Sequence, residues 1–113
     1  ADNGARVINL SLGGGFSSEL QAAIQYATQR GSIVVMASGN EARSEPSYPA
    51  QFASQNGIAV GAININNGVA NFSNKAGESP LSFVVAPGVS IYSTTPNNTY
   101  QSFNGTSMAT PHV

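Results

Sequence analysis

Cysteine and tryptophan are absent from this 113-residue chain, and charge is scarce, at 8% of residues. Without cysteine there are no disulfides, no thiol nucleophile and no cysteine-ligated zinc or iron–sulfur centre. Lysine and arginine number 4 against 5 acidic residues, a net charge of −1. That balance argues against nucleic acid as a partner, since a basic patch would be needed. No apolar run approaches the roughly 20 residues of a membrane span, and no leader pattern is readable at the front. Acid–base chemistry has few side chains to draw on: there is one histidine, His112, and one aspartate, Asp2. In their place stand 12 glycines and many Ser and Asn residues. Sparse charge with such residues suits the interior of a large α/β enzyme better than a small independent domain.

Hydrophobic patterning alternates strand and helix. Residues 7–12 read as a strand stopped by Gly13-Gly14-Gly15. Ser18 then begins a helix with Gln21 three positions on, a capping-box pattern. Leu20, Ala23, Ile24 and Ala27 give that helix an apolar face, and Gly31 ends it. The continuous apolar runs 33–37 and 58–62 are expected of buried parallel strands needing cover on both faces. Residues 69–72 and 83–86 are shorter strand candidates. Residues 91–94 and 100–103, separated by Pro96-Asn97-Asn98, predict a hairpin. A strand–helix–strand opening implies a parallel crossover unit and an α/β fold.

The hairpin leads into Phe103-Asn104-Gly105-Thr106-Ser107-Met108-Ala109. Asn104-Gly105 signals a turn, Thr106 is expected to cap a helix start, and Met108-Ala109 begin a helix-favouring run. A serine delivered to a first helical turn has an exposed hydroxyl and an unpaired N–H near the positive end of the helix dipole. That is suitable geometry for a nucleophile whose attack generates an oxyanion. The glycines after the first strand suggest a nucleotide-binding turn only superficially. The third required glycine falls on Ser18, and Ser38 stands where an acidic ribose ligand belongs. These glycines are better read as letting another chain segment approach the strand end.

The nucleophile string closely resembles that of the subtilisin-like serine peptidases, and further motifs follow in the family's order. They are Val7-Ile8-Asn9-Leu10-Ser11-Leu12-Gly13-Gly14, Val35-Met36-Ala37-Ser38-Gly39-Asn40, Tyr48-Pro49-Ala50, Ile58-Ala59-Val60-Gly61-Ala62, Phe72-Ser73 and Val85-Ala86-Pro87-Gly88-Val89. The resemblance spans essentially the whole chain. It implies a three-layer fold with a mainly parallel central sheet, of which this is an incomplete, C-terminal-half portion. By resemblance, Ser107 is the nucleophile, and its N–H and the Asn40 amide hold the oxyanion. Ser11, Leu12 and Gly13 form one substrate-binding wall of the specificity pocket, and Ser38 and Gly39 the opposite wall. Ser47 stands where many relatives have glycine at the pocket floor, which implies a narrowed pocket and cleavage after medium-sized apolar residues. Glu41 is placed at the rim or in solvent.

The family's aspartate and histidine precede its serine, so both are expected upstream of Ala1. His112 follows Ser107 by five positions, about 140° round a helix, and cannot turn back to take its proton. Asp2 is expected to be a solvated end residue. The chain opens on what reads as a helix tail and closes hardly two turns into a helix, so it is expected to be a fragment, inactive alone. By resemblance the whole protein is secreted, acts on protein or peptide substrates, and needs no catalytic cofactor or metal. Structural calcium is implied for the intact enzyme, although Phe83 replaces an aspartate ligand that some relatives carry. Two alternatives stay open: a protein-binding pseudoprotease, and one chain of a nicked two-chain peptidase.

Overall fold

Four parallel strands follow one another across a single sheet in chain order, the outcome expected when each strand is followed by a crossover. In the computed structural model, which describes residues 1–113, β1 is Val7–Leu10, β2 Ile33–Ala37, β3 Ile58–Ile63 and β4 Phe83–Pro87. The register runs Val7 to Ile33, Val35 to Ile58 and Ala59 to Phe83. Helix α1, Ser18–Gln29, forms the β1–β2 crossover. A separate antiparallel hairpin, β5 (Ile91–Thr95) and β6 (Thr99–Phe103), leads into the short helix α2, Thr106–Ala109.

The period-2 alternation of the central strands sorts their side chains into two cores. Val34, Met36 and Ala59 face α1 and pack with Ile24, Ala27, Phe52 and Ala53. Val35, Val60 and Ala62 point the other way, onto Ala70, Ala86 and Ala109 of α2. The helices therefore lie on opposite faces, giving the expected three layers. The cover that runs 33–37 and 58–62 need on both faces is mostly supplied within the chain. Met36, Ala59, Val60 and Ala62 are fully buried. In the sheet, apolar surface stays exposed on the outer strands, where Val7 is 59% and Val85 47% exposed, and at Ile33 at the start of β2, 52% exposed.

Other boundaries shift for local reasons. The N-cap of α1 is Ser17, not Ser18: its hydroxyl accepts the Leu20 N–H at 3.1 Å. β1 stops at Leu10, leaving Ser11 and Leu12 beyond the ladder, because Ser11 turns its hydrogen bonds to Ser107 instead. Residues 69–72 form no strand. The Asn64 side-chain oxygen accepts the N–H groups of Asn66 and Gly68, closing a tight turn after which only Val69 bridges to Ile63. The β5–β6 turn carries Asn97 and Asn98 at φ 66° and 56°, left-handed values that asparagine tolerates.

At the start of the chain the Gly4 N–H closes a turn onto the Ala1 carbonyl, with Gly4 at φ 88°. Asp2 is also more than a solvated end. Its carboxylate accepts the Tyr26 hydroxyl at 2.7 Å and lies 3.7 Å from the Arg30 guanidinium. That hydrogen bond, with burial and the carboxylate charge adding to it, raises the Tyr26 pKa above its ordinary value of 10.0.

Candidate active site

The carboxyl ends of β1 and β2 and the start of α2 converge on one hollow, as parallel sheets favour. The hollow measures about 520 Å³. One wall is Leu12 to Gly15, where Gly14 pairs with Tyr48 through its N–H and the Tyr48 carbonyl, 3.0 Å apart. The Tyr48 segment does approach the strand end, but not because the glycines lack side chains: a Cβ at Gly13 would come no nearer than 3.7 Å to the Tyr48 carbonyl oxygen, and at Gly14 or Gly15 it would meet open space. Beneath that pairing, Phe16, Tyr48 and Phe52 stack edge to face or tilted, with centroids 4.9–5.9 Å apart. The other wall is Ala37, Gly39, Asn40 and Glu41, with Arg43 and Ser47 also in the lining.

Ser107 borders this hollow, half-buried, at the second position of α2. Its hydroxyl makes one long hydrogen bond, 3.3 Å, to the Ser11 carbonyl. In return the Ser11 hydroxyl donates to the Ser107 carbonyl at 2.8 Å. No protein acceptor takes the Ser107 N–H, as expected in a first helical turn. Since α2 spans only four residues before a 3-10 turn at Thr110–His112, this individual donor counts for more than a helix dipole.

Thr106 is not the cap predicted from sequence. Gly105 holds the N-cap position with no side-chain bond, and Thr106 is the first helical residue, fully buried. Its hydroxyl accepts the Gly39 N–H at 3.1 Å and donates to the Asn40 side-chain oxygen at 2.9 Å. Its backbone N–H donates to the same oxygen at 2.8 Å. Asn40 is therefore oriented from its Oδ1 end, and its Nδ2 group is left without an intramolecular acceptor. Two unsatisfied donors, the Ser107 N–H and Asn40 Nδ2, belong to residues that line one hollow together with the Ser107 hydroxyl. Such a set can stabilise negative charge developing on a carbonyl oxygen attacked by Ser107.

The other expected site residues divide. Leu12, Gly13, Gly39 and Ser47 line the hollow. Ser38 does not: it is fully buried, its hydroxyl donates to the Asn74 carbonyl, and it braces the wall from behind. Ser11 is likewise outside the lining and acts on Ser107 through the paired hydrogen bonds. His112 presents Nδ1 to the Met108 carbonyl at 2.9 Å and makes no bond to Ser107. A carbonyl only accepts, so Nδ1 donates in that pair, and Nε2 makes no hydrogen bond to Ser107. No three His, Asp or Glu side chains group together as a metal site.

The profile of the subtilase family, peptidase S8, matches residues 1–113. The chain belongs to the subtilase family. It is 51% identical over 113 residues to subtilisin BL of Lederbergia lenta and 49% identical over 114 residues to thermitase of Thermoactinomyces vulgaris. Those alignments cover 99% and 100% of this chain but 40% and 39% of the relatives, so the chain spans about two fifths of their length. The solved structure of the prenylagaramide maturation protease PagA superposes with a TM-score of 0.85 at 31% identity. It matches 97% of this chain and 41% of that one. The mixed α/β fold with its parallel sheet is thus that of a subtilisin-like protease.

Two contributors escaped the sequence reading. Thr106 was given a capping role rather than its bridge to Asn40, and Asn74, fully buried behind the pocket wall, was not singled out. A polar residue beside Phe72-Ser73 was the only signal for Asn74, and it does not reveal its partners.

Proposed function

We propose that the full-length protein is a serine endopeptidase that forms an acyl-enzyme on Ser107. The observation carrying this reading is the tethering of Asn40 by Thr106, which leaves Nδ2 available beside the Ser107 hydroxyl and N–H. In the proposed reaction the Ser107 oxygen attacks the scissile carbonyl carbon and loses its proton to a base outside residues 1–113. The tetrahedral oxyanion takes hydrogen bonds from the Ser107 N–H and Asn40 Nδ2. Collapse expels the amine, which leaves with the proton, and water then hydrolyses the ester. Leu12, Gly13, Gly39 and Ser47 contact the substrate residue that precedes the cut bond.

Kinship to subtilisins supports protein or peptide substrates and an extracellular location. The chemistry relies on hydroxyl, amide and backbone groups and calls for no cofactor. Calcium, if the intact protein uses it structurally, would need carboxylates other than those grouped here. A fluorophosphonate probe on the full-length protein, followed by peptide mapping, is expected to label Ser107. Labelling confined to another residue, or none, would refute the assignment and favour a binding pseudoprotease.

A further inference from the structure

Pro111 stands four positions after Ser107, and that spacing leaves the Ser107 carbonyl without a helix partner. A helical carbonyl ordinarily accepts the N–H four residues on, and proline has none. No backbone N–H from elsewhere reaches it either. The preceding carbonyl shows the contrast: that of Thr106 accepts both the Thr110 N–H and the Thr110 hydroxyl, the latter at 2.7 Å. The Ser107 carbonyl takes its hydrogen bond from outside the helix, from the Ser11 hydroxyl at 2.8 Å. Its donor lies 96 positions away, just past the end of β1.

The sheet delivers that hydroxyl already aimed. Asn9 and Ser11 are two positions apart on an extended segment, so their side chains share one face. Asn9 is in register with Val35, which packs on the α2 side of the sheet, so the shared face is the one toward α2. The Asn9 Nδ2 group donates to the Ser11 oxygen at 3.0 Å. With that lone pair occupied, the Ser11 proton has the Ser107 carbonyl at 2.8 Å and the Asn9 oxygen only at 3.4 Å. Ser107 is thereby held from both sides. Asn40 anchors the Thr106 N–H before it at 2.8 Å, and Ser11 anchors the carbonyl after it. The Ser107 N–H, free of any protein acceptor, belongs to the peptide unit between those two anchors.

We propose that Ser11 is a positioning residue whose hydroxyl stands in for the N–H that Pro111 lacks, fixing the turn that presents the Ser107 hydroxyl and N–H. The assignment rests on the hydrolase reading of Ser107. Without the Ser11 hydroxyl a half-buried carbonyl loses its donor, and the turn relaxes to find another. A small displacement matters, because the nucleophile and an oxyanion donor ride on one residue and must meet the same carbonyl group. Ser11 lies outside the lining of the hollow, so its hydroxyl acts through Ser107 and not on substrate.

The test compares the full-length parent with Ser11→Ala, Ser11→Thr, Pro111→Ala and the double variant Ser11→Ala with Pro111→Ala. Each is followed by its rate of fluorophosphonate labelling and by steady-state kinetics on one peptide anilide. Ser11→Ala should slow labelling of Ser107 and lower kcat about tenfold, with KM unchanged. Ser11→Thr, which keeps a donor, should recover most of that loss. Pro111→Ala returns an N–H to the helix, so removing the Ser11 hydroxyl in that background should lower kcat less than about threefold. A fall in melting temperature with an unmoved labelling rate would make Ser11 merely structural and overturns the proposal. So does a raised KM with unchanged kcat, or an equal loss with and without Pro111. Should Ser11→Ala fail to fold, the double variant measured against Pro111→Ala decides alone. The parent separates the two failures: Ser107 labelled there, with an unmoved rate in Ser11→Ala, refutes only this inference. Unlabelled Ser107 in the parent refutes the hydrolase reading on which it rests.

Discussion

The Asn40 side-chain oxygen accepts two hydrogen bonds from a single residue, Thr106: 2.8 Å from its N–H and 2.9 Å from its hydroxyl. Thr106 immediately precedes Ser107, so the proposed oxyanion donor and the proposed nucleophile are held in register by adjacent residues of one turn. Asn40 is exposed, yet it cannot flip its amide without losing both bonds. The rigidity comes from Thr106, which is fully buried and further tied through its own carbonyl to the Thr110 hydroxyl at 2.7 Å.

Asn40→Ala in the full-length protein is expected to lower kcat about 10²–10³-fold with little change in KM. That scale is the one that loss of the corresponding amide has in subtilisin itself. The donor matters once the carbonyl becomes an oxyanion, so its loss strikes the transition state selectively. Steady-state kinetics on one peptide substrate checks this, and a raised KM with unchanged kcat would contradict it.

Thr106 separates orientation from chemistry. Thr106→Val keeps the shape but removes the hydroxyl that joins Gly39 to Asn40, leaving the Gly39 N–H unpaired. An unpaired buried donor costs about 1–3 kcal/mol of stability. A less well held amide should lower kcat about tenfold. Thr106→Ser, which keeps the oxygen, should recover most of both. Equal damage from Ser and Val would mean that the methyl group, not the hydrogen bond, is what matters.

Gly88 is fixed by close approach rather than by backbone angle. A Cβ there would sit 2.6 Å from the Ala62 Cβ and 2.7 Å from the Gly105 carbonyl oxygen. Gly105 donates its N–H to the Gly88 carbonyl at 2.8 Å, so the nucleophile turn rests on this contact. Gly88→Ala is therefore expected to cost about 1–3 kcal/mol and to lower turnover as well. Thermal unfolding and kinetics of the same preparation test both halves. Full stability would show that the turn can move aside.

How legible this was in the sequence depends on the kind of contact. The strands at 33–37 and 58–63 were readable because continuous apolar runs have few other places to go. The hairpin was readable because the Pro96-Asn97-Asn98 break separates two strand-like runs. Ser107 and Asn40 came from motif order, and the structure brings them to one hollow although 67 positions separate them. Ser38, by contrast, sits in the same motif and is turned away, because a strand's alternation continues one residue past its end. The pocket-wall partners of Asn74 and Thr106 lie 27–67 positions distant, and no periodicity encodes pairings of that length.

The cap of α1 gives a pH-dependent prediction. The Glu19 pKa is lowered, first by a hydrogen bond from its own backbone N–H and then by the Ser17 and Ser18 hydroxyls. A depressed carboxylate favours the folded state above its unfolded pKa, and that contribution is lost as pH falls through the folded value. The window is therefore acidic, beginning near 4.5 and extending below it. Ser17→Ala should cost about 1 kcal/mol at neutral pH, from loss of the Leu20 N–H bond. It should also flatten the acid limb, because one of the groups depressing Glu19 is gone. Urea unfolding from pH 3 to 7 reads both effects, and parallel curves for parent and variant would refute the coupling.

Residues 1–113 made alone are expected to be inactive and prone to association. A serine hydroxyl at neutral pH is a weak nucleophile without a base, and the one histidine makes no hydrogen bond to Ser107, which it follows by five positions, about 140° round a helix. Most of β2 and β3 is well covered, so the difficulty lies on the outer strands and at the start of β2. Val7 and Ile33 expose more than half their surface on one side of the sheet, Val84 and Val85 more than two fifths on the other. The stacked Tyr92 and Tyr100 lie exposed on the hairpin. Two unpaired edges, on β1 and β4, offer hydrogen-bonding templates to further copies. Light scattering and probe labelling of this segment test the two parts separately. A monodisperse monomer with cooperative unfolding would show that these rims tolerate water, and hydrolysis abolished by His112→Ala would return the histidine to the reaction.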